Sequence, residues 1–181
     1  VEDLNKYSAC RIEIVLYLTA NYKKSVGKLI KERRFVSIVD HPSFSDLRRI
    51  LGELDLLVSL YGFGADSISY YKYSFATKIV PYMLSGTPIL IYGPAQIEPV
   101  NYARLGDWSI LIDTRSKNLL GAAIQDFIHR PQDRQAMVLR AWGKATKNHD
   151  LESNARRFQS VLRDVSLNRL AMEPKGERNE K

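Results

Sequence analysis

Residues Tyr73–Pro94 read YSFATKIVPYMLSGTPILIYGP, and the order of elements in this stretch decides the fold. Pro88–Tyr92 (PILIY) is a short, unbroken apolar run. That is the pattern of a strand covered on both faces, and Gly93-Pro94 ends it in a turn. Before it, Ser85-Gly86-Thr87 is small and flexible, and stops a helix predicted over Phe75–Leu84. Loop, helix, glycine turn and buried strand in this order form half of a parallel βαβ unit.

The same alternation extends in both directions. Upstream, strands are predicted at Arg11–Leu18, Phe35–Val39 and Asp55–Leu60. Helices are predicted at Lys23–Arg34 and at Ser45–Leu54, the latter with Ser45 as N-cap. Val1–Ala9 reads as the end of a helix feeding the first strand, and Tyr61–Ser74 as a loop rich in glycine and tyrosine. Downstream come a helix at Glu98–Leu105 and a last strand at Trp108–Ile112. Three helices follow, Lys117–His129, Asp133–Lys147 and Leu151–Leu167, with a break at Arg130-Pro131. The fold class expected is α/β: an open, doubly wound, Rossmann-like parallel sheet with a helical C-terminus. Residues 1–170 form one domain and 171–181 a disordered tail. Ligands of such sheets sit beyond the carboxyl ends of the strands. Here that means Thr19–Tyr22, Asp40–Phe44, Tyr61–Ser74 and Gly93–Gln96.

Composition narrows the classes. The 181 residues are 45% hydrophobic and 26% charged, ordinary for a globular domain. Cys10 is the only cysteine, so no internal disulfide forms, and a cytoplasmic setting is the natural expectation. No apolar run approaches the roughly 20 residues that span a bilayer. The net charge of +7 suits phosphate-bearing partners or an anionic membrane surface. Lys23–Arg34 is a basic amphipathic stretch suited to peripheral contact with the inner face of a membrane. Three scattered histidines give no metal spacing, and no motif or aromatic-basic platform points to nucleic acid. No nucleophile elbow, phosphate-binding P-loop or G-x-G-x-x-G fingerprint is present.

The Tyr73–Pro94 block resembles a signature of GT-B-type glycosyltransferases, specifically the group 1, or family 4-like, enzymes. Ser74, Thr77, Lys78, Ile79, Tyr82, Met83, Gly86, Pro88, Ile89 and Leu90 fit that signature. The preceding DLLVSLYGFG and the downstream HRPQDRQAMVLRAWGKA are also similar to family segments, so the resemblance runs from about Arg11 to Leu170. It implies the C-terminal, donor-binding half of a two-domain enzyme, with the first strand of this domain and the N-terminal acceptor domain lying outside the chain. It further implies a nucleoside diphosphate sugar as substrate, no bound cofactor or metal, glycosyl transfer to an acceptor hydroxyl, and a role in polysaccharide biosynthesis. The fragment alone is expected to be inactive.

The residues themselves agree with a diphosphate site. A loop entering a helix presents unpaired N–H groups, here around Phe75. Ser74 and Thr77 add hydroxyls, and Lys78 adds a positive charge. Gly62 and Gly64 permit close backbone approach to the phosphates. His41 and Pro42, with Phe44 beside them, are candidates for the base and sugar. The family's Glu-x7-Glu carboxylate pair falls at Tyr73 and Pro81 here, so neither acid is present. Tyr73 and Tyr82 are the candidates left to contact the ribose. Two alternatives remain at this point: a GT-B-type nucleotide-sugar epimerase, and a degenerate module that binds without catalysis.

Overall fold

The computed structural model describes residues 2–7, 10–30 and 33–172. Helix α1 (Glu2–Tyr7) leads into β1 (Ile14–Leu18), α2 (Ala20–Ile30), β2 (Val36–Asp40), α3 (Phe44–Gly52) and β3 (Leu57–Leu60). Then come α4 (Ala65–Tyr71), α5 (Ile79–Met83), β4 (Ile89–Tyr92), α6 (Glu98–Arg104) and β5 (Ile110–Ile112). Helices α7 (Lys117–His129), α8 (Gln132–Asn148) and α9 (Leu151–Met172) complete the order. Residues Val1–Lys144 make one compact unit holding every strand, and a second unit begins at Ala145 within α8. Helix α9 runs to Met172, past the predicted end at Leu167. The rest of the expected tail, 173–181, lies outside the described residues, as do 8, 9, 31 and 32 of the predicted N-terminal and basic helices.

All strand pairs are parallel, but they fall into two sheets: β1-β2, and β3-β4-β5. Strand β4 is the middle of three, and Ile89, Leu90 and Ile91 are all fully buried, as its unbroken apolar run requires. Strand β3 instead alternates: Leu57 and Ser59 are buried, while Val58 and Leu60 remain 43% and 59% exposed. Around β4, the core gathers Ile79 and Met83 of α5, Ile97, Val100 of α6 and Trp108. The Trp108 indole N–H donates to the Tyr102 carbonyl at 3.2 Å, so the largest core side chain leaves no polar atom unsatisfied. Thr87, buried in the turn before β4, donates to the Leu51 carbonyl at 2.7 Å and ties α3 to that turn.

Three local expectations are corrected. The N-cap of α3 is Ser43, not Ser45: its hydroxyl accepts from the Asp46 N–H, and Asp46 is the acid three residues on that completes a capping arrangement. The supposed loop Tyr61–Ser74 contains α4, capped at Gly64 and packed through its tyrosines. The helix predicted from Phe75 begins only at Ile79, which places Pro81 in the first turn, where a missing N–H costs nothing. Gly86, at φ 85°, closes that helix in the left-handed region.

Gly93 ends β4 against Tyr61. A β-carbon there would sit 2.9 Å from the Tyr61 β-carbon, an atom fixed by its own backbone. Gly93→Ala is therefore expected to destabilise the protein by about 1–3 kcal/mol, the usual cost of overpacking. A urea midpoint unchanged from wild type would show that the two backbones separate freely.

Candidate functional site

The site is built at the carboxyl end of β3. Tyr61, the residue after the strand, is buried, and its phenol oxygen accepts from the Ser59 hydroxyl at 2.9 Å. Its ring meets Tyr71 of α4 edge-on at 4.9 Å, and Tyr71 meets Tyr70 at 4.8 Å. This aromatic chain explains a helix that hydrophobic periodicity does not announce. Gly62 packs against the first turn of α4, where a β-carbon would lie 3.1 Å from Ser67. Around Gly64 there is open space, with nothing within 4 Å.

Lys78 precedes α5 and holds its ammonium 5.8 Å from the Tyr61 ring centroid. It forms no ion pair among the described residues. The side chain keeps access to solvent, yet burial around the ammonium disfavours its charge and holds its pKa below the ordinary lysine value. Burial raises the Tyr82 phenol, and it raises Tyr61 as well, with the Tyr71 and Tyr82 phenols adding to the effect on Tyr61. Both tyrosines therefore stay neutral hydrogen-bonding groups. Immediately before α5, the backbone N–H groups of Ala76, Thr77 and Lys78 make no backbone hydrogen bond. A cation without an ion pair among the described residues, on the same short segment as three N–H groups that make no backbone hydrogen bond, is an environment that favours an anion.

Of the residues singled out in the sequence, the structure thus gathers Lys78 and Tyr82 around Tyr61, while Thr77, next to Lys78 in the chain, is exposed. Ser74 is half-buried, its N–H reaching the Tyr71 carbonyl at 3.4 Å. The Phe75 ring turns inward onto Tyr102, 5.0 Å away, so its side chain anchors the segment. Tyr73 is 86% exposed and carries the Lys72 ammonium over its ring at 5.2 Å. His41 and Pro42 follow β2, in the other sheet. The His41 imidazole contacts the Pro42 carbonyl at 2.9 Å, while its backbone N–H extends the β1-β2 ladder to Leu18. Phe44, beside them, is 93% exposed. In α2, Lys23 pairs with Asp40, which neutralises one charge of the basic stretch. No group of three or more metal-capable side chains occurs among the described residues, and no helix among them is long and apolar enough to cross a membrane. Sequence reasoning missed Ser59 and Gly93, both of which act through Tyr61.

The parallel strands, crossover helices and C-terminal helices define a Rossmann-like α/β fold, that of the C-terminal half of a GT-B architecture. Among solved structures, the chain is similar to Alr3699/HepE of Anabaena in complex with UDP-glucose. The identity is 15% and the TM-score 0.67, over 90% of this chain and 43% of that one. The same protein in complex with UDP matches at 15% identity and a TM-score of 0.64, with the same coverage. The chain therefore spans less than half the length of the structures it matches. No protein-family model and no curated protein sequence matches it.

The Lys78 environment carries a pH prediction. An anion gains from the charged ammonium, and the free chain gives up that proton at a lower pH than an ordinary lysine does. Affinity for any anion held by Lys78 is therefore expected to fall as pH rises through the depressed Lys78 pKa. A phosphate-bearing ligand would stay fully ionised there, since its last phosphate pKa is about 6. Lys78→Arg, whose guanidinium stays charged, is expected to hold affinity across the same range. Calorimetric titrations of both proteins at rising pH check this; parallel curves would remove Lys78 from the binding step.

Proposed function

We propose that this chain is the nucleoside-diphosphate-sugar-binding half of a GT-B-type enzyme, with a uridine nucleotide as its first candidate ligand. The observation that carries the proposal is Lys78, without an ion pair among the described residues and held over Tyr61 at the carboxyl end of a parallel strand, on the same segment as the N–H groups of Ala76–Lys78 that make no backbone hydrogen bond. Support comes from the fold shared with a protein crystallised with UDP-glucose and with UDP. In this reading Lys78 and the N–H groups hold the diphosphate, with Ser74 and Thr77 adding hydroxyls and the open space at Gly64 admitting the phosphates. His41 and Pro42 face the base, and Tyr82 and Tyr73 the ribose or sugar.

The chemistry we propose for the whole enzyme is glycosyl transfer to an acceptor hydroxyl. The cationic site would stabilise the leaving diphosphate as its charge develops, and the acceptor and any general base would come from a partner domain. A specific observation favours a second reading, binding without turnover. Tyr73 and Pro81 stand where the resemblance places two carboxylates, so the site holds no acid at either position.

Titration with UDP, GDP, ADP and dTDP tests the binding claim: selective binding of one diphosphate supports it, and binding of none by the chain or its parent protein refutes it. Incubating the parent protein with a UDP-sugar and acceptor then separates the readings. Released UDP with a glycosylated acceptor marks a transferase, an epimeric UDP-sugar marks an epimerase, and binding without product marks the non-catalytic module.

A further inference from the structure

We propose that Lys144 of α8 is a positioning residue for the segment Tyr73–Lys78, acting through the Tyr102 ring. Its effect on nucleotide affinity rests on the reading of Lys78 as a diphosphate ligand, whereas its grip on the segment does not.

The segment needs an anchor outside itself. It connects α4, which ends at Tyr71, to α5, which begins at Ile79. Of its own N–H groups, only that of Ser74 makes a backbone hydrogen bond among the described residues, at 3.4 Å. The backbone therefore does little to fix its own course, and side chains must do so. The Phe75 ring meets Tyr102 of α6 edge-on, with centroids 5.0 Å apart and planes at 81°. Phe75 directly precedes Ala76 and stands three residues before Lys78. Where the Tyr102 ring stands thus governs where the N–H groups of Ala76–Lys78 point.

Two residues hold Tyr102. One is Trp108, whose ring lies 5.7 Å away and whose indole N–H donates to the Tyr102 carbonyl. The other is Lys144. Its ammonium stands 4.6 Å from the Tyr102 ring centroid, within range of cation–ring attraction. The same ammonium donates to the Leu105 carbonyl at 2.6 Å, and Leu105 is the C-cap of α6, the helix that carries Tyr102. A lysine there satisfies a carbonyl that the helix itself leaves without a donor. Gly106 leaves the ammonium room, since a β-carbon on it would lie 3.1 Å from the Lys144 Nζ. One turn earlier on α8, the Arg140 guanidinium donates to the Asp107 carbonyl at 2.8 Å, where the backbone is left-handed at φ 48°. Helix α8 therefore grips the turn between α6 and β5 at two points, and Lys144 also reaches the ring. Burial disfavours the Lys144 charge, and no carboxylate among the described residues pairs with it. What holds the ammonium in place is the carbonyl and the aromatic face.

Three variants of the nitrogen-labelled 181-residue chain separate those two contacts. Lys144→Met removes both, Lys144→Gln keeps a donor for Leu105 without the charge, and Lys144→Arg keeps both. In nitrogen–proton spectra recorded without nucleotide, the Met and Gln variants are expected to displace or broaden the amides of Phe75, Ala76, Thr77 and Lys78. The Arg variant should leave them near their wild-type positions. UDP affinity is expected to fall about two- to fivefold in the Met and Gln variants, the range of one cation–ring contact, and to return in the Arg variant. Unmoved amides at Phe75–Lys78 in the Met variant, or wild-type positions in the Gln variant, would reduce Lys144 to a cap of α6 and overturn the proposal. Displaced amides in a chain whose wild type binds no UDP would uphold Lys144 as a positioning residue and remove the diphosphate reading instead.

Discussion

Replacing Lys78 with alanine is expected to weaken UDP binding about 10- to 100-fold, which corresponds to about 1.4–2.8 kcal/mol, the range of one hydrogen bond to a charged group. The magnitude follows from what surrounds the ammonium. Burial lowers its pKa, and no carboxylate among the described residues pairs with it, so a diphosphate bound there would supply a counter-charge. Removing the side chain leaves the free N–H groups of Ala76 and Thr77, so residual binding is expected rather than none. Folding should be little affected, because Lys78 is exposed and leaves no ion-pair partner behind among the described residues. Isothermal titration of both proteins at neutral pH gives the ratio, and the thermal midpoint gives the control. Equal affinities would place the anion elsewhere.

Trp108→Ala is expected to cost about 3–5 kcal/mol, the range for truncating a large buried aromatic residue. Trp108 is fully buried, at the junction where β5 begins. Its removal opens a cavity beneath Tyr102, whose ring lies 5.7 Å away and supports Phe75 at 5.0 Å. Phe75 in turn anchors the segment that presents Ala76–Lys78, so nucleotide affinity should fall together with stability. Trp108→Phe, which fills most of the cavity, should recover much of both. Urea denaturation of the three proteins measures the first effect. A loss below about 1 kcal/mol for the alanine variant would mean that this core collapses around the deletion.

What the sequence revealed depended on how local the cause was. Strand β4 was legible because burial on both faces imposes one unbroken apolar run on Pro88–Tyr92, and α7 was legible to the residue, Lys117–His129, because Ser116 caps it and Pro131 lies beyond it. Helix α4 was hidden. Its tyrosines have no helical period, and what holds them is the contact of Tyr71 with Tyr61 across the loop. Two serines competed for the α3 cap, and the choice turned on the position of Asp46. The Tyr73–Pro94 block drew attention to Lys78 and Tyr82. The role of Gly93 rests on its packing against Tyr61 from the neighbouring strand, a relation no local pattern encodes, whereas Ser59 reaches Tyr61 from two residues before it in β3. Nor does residue spacing tell that Phe75, placed by sequence among the phosphate ligands, turns its ring into the core.

The proposed diphosphate site lies at the carboxyl end of β3 and in the segment before α5. Nitrogen–proton correlation spectra of the labelled chain, recorded as UDP is added, test it most directly. Saturable shifts are expected at Gly64, Ala76, Thr77 and Lys78, with smaller ones at Tyr61 and Tyr82. Shifts confined to the basic face of α2, or spread without saturation over the cationic surface, would contradict it and reduce the affinity for UDP to nonspecific charge.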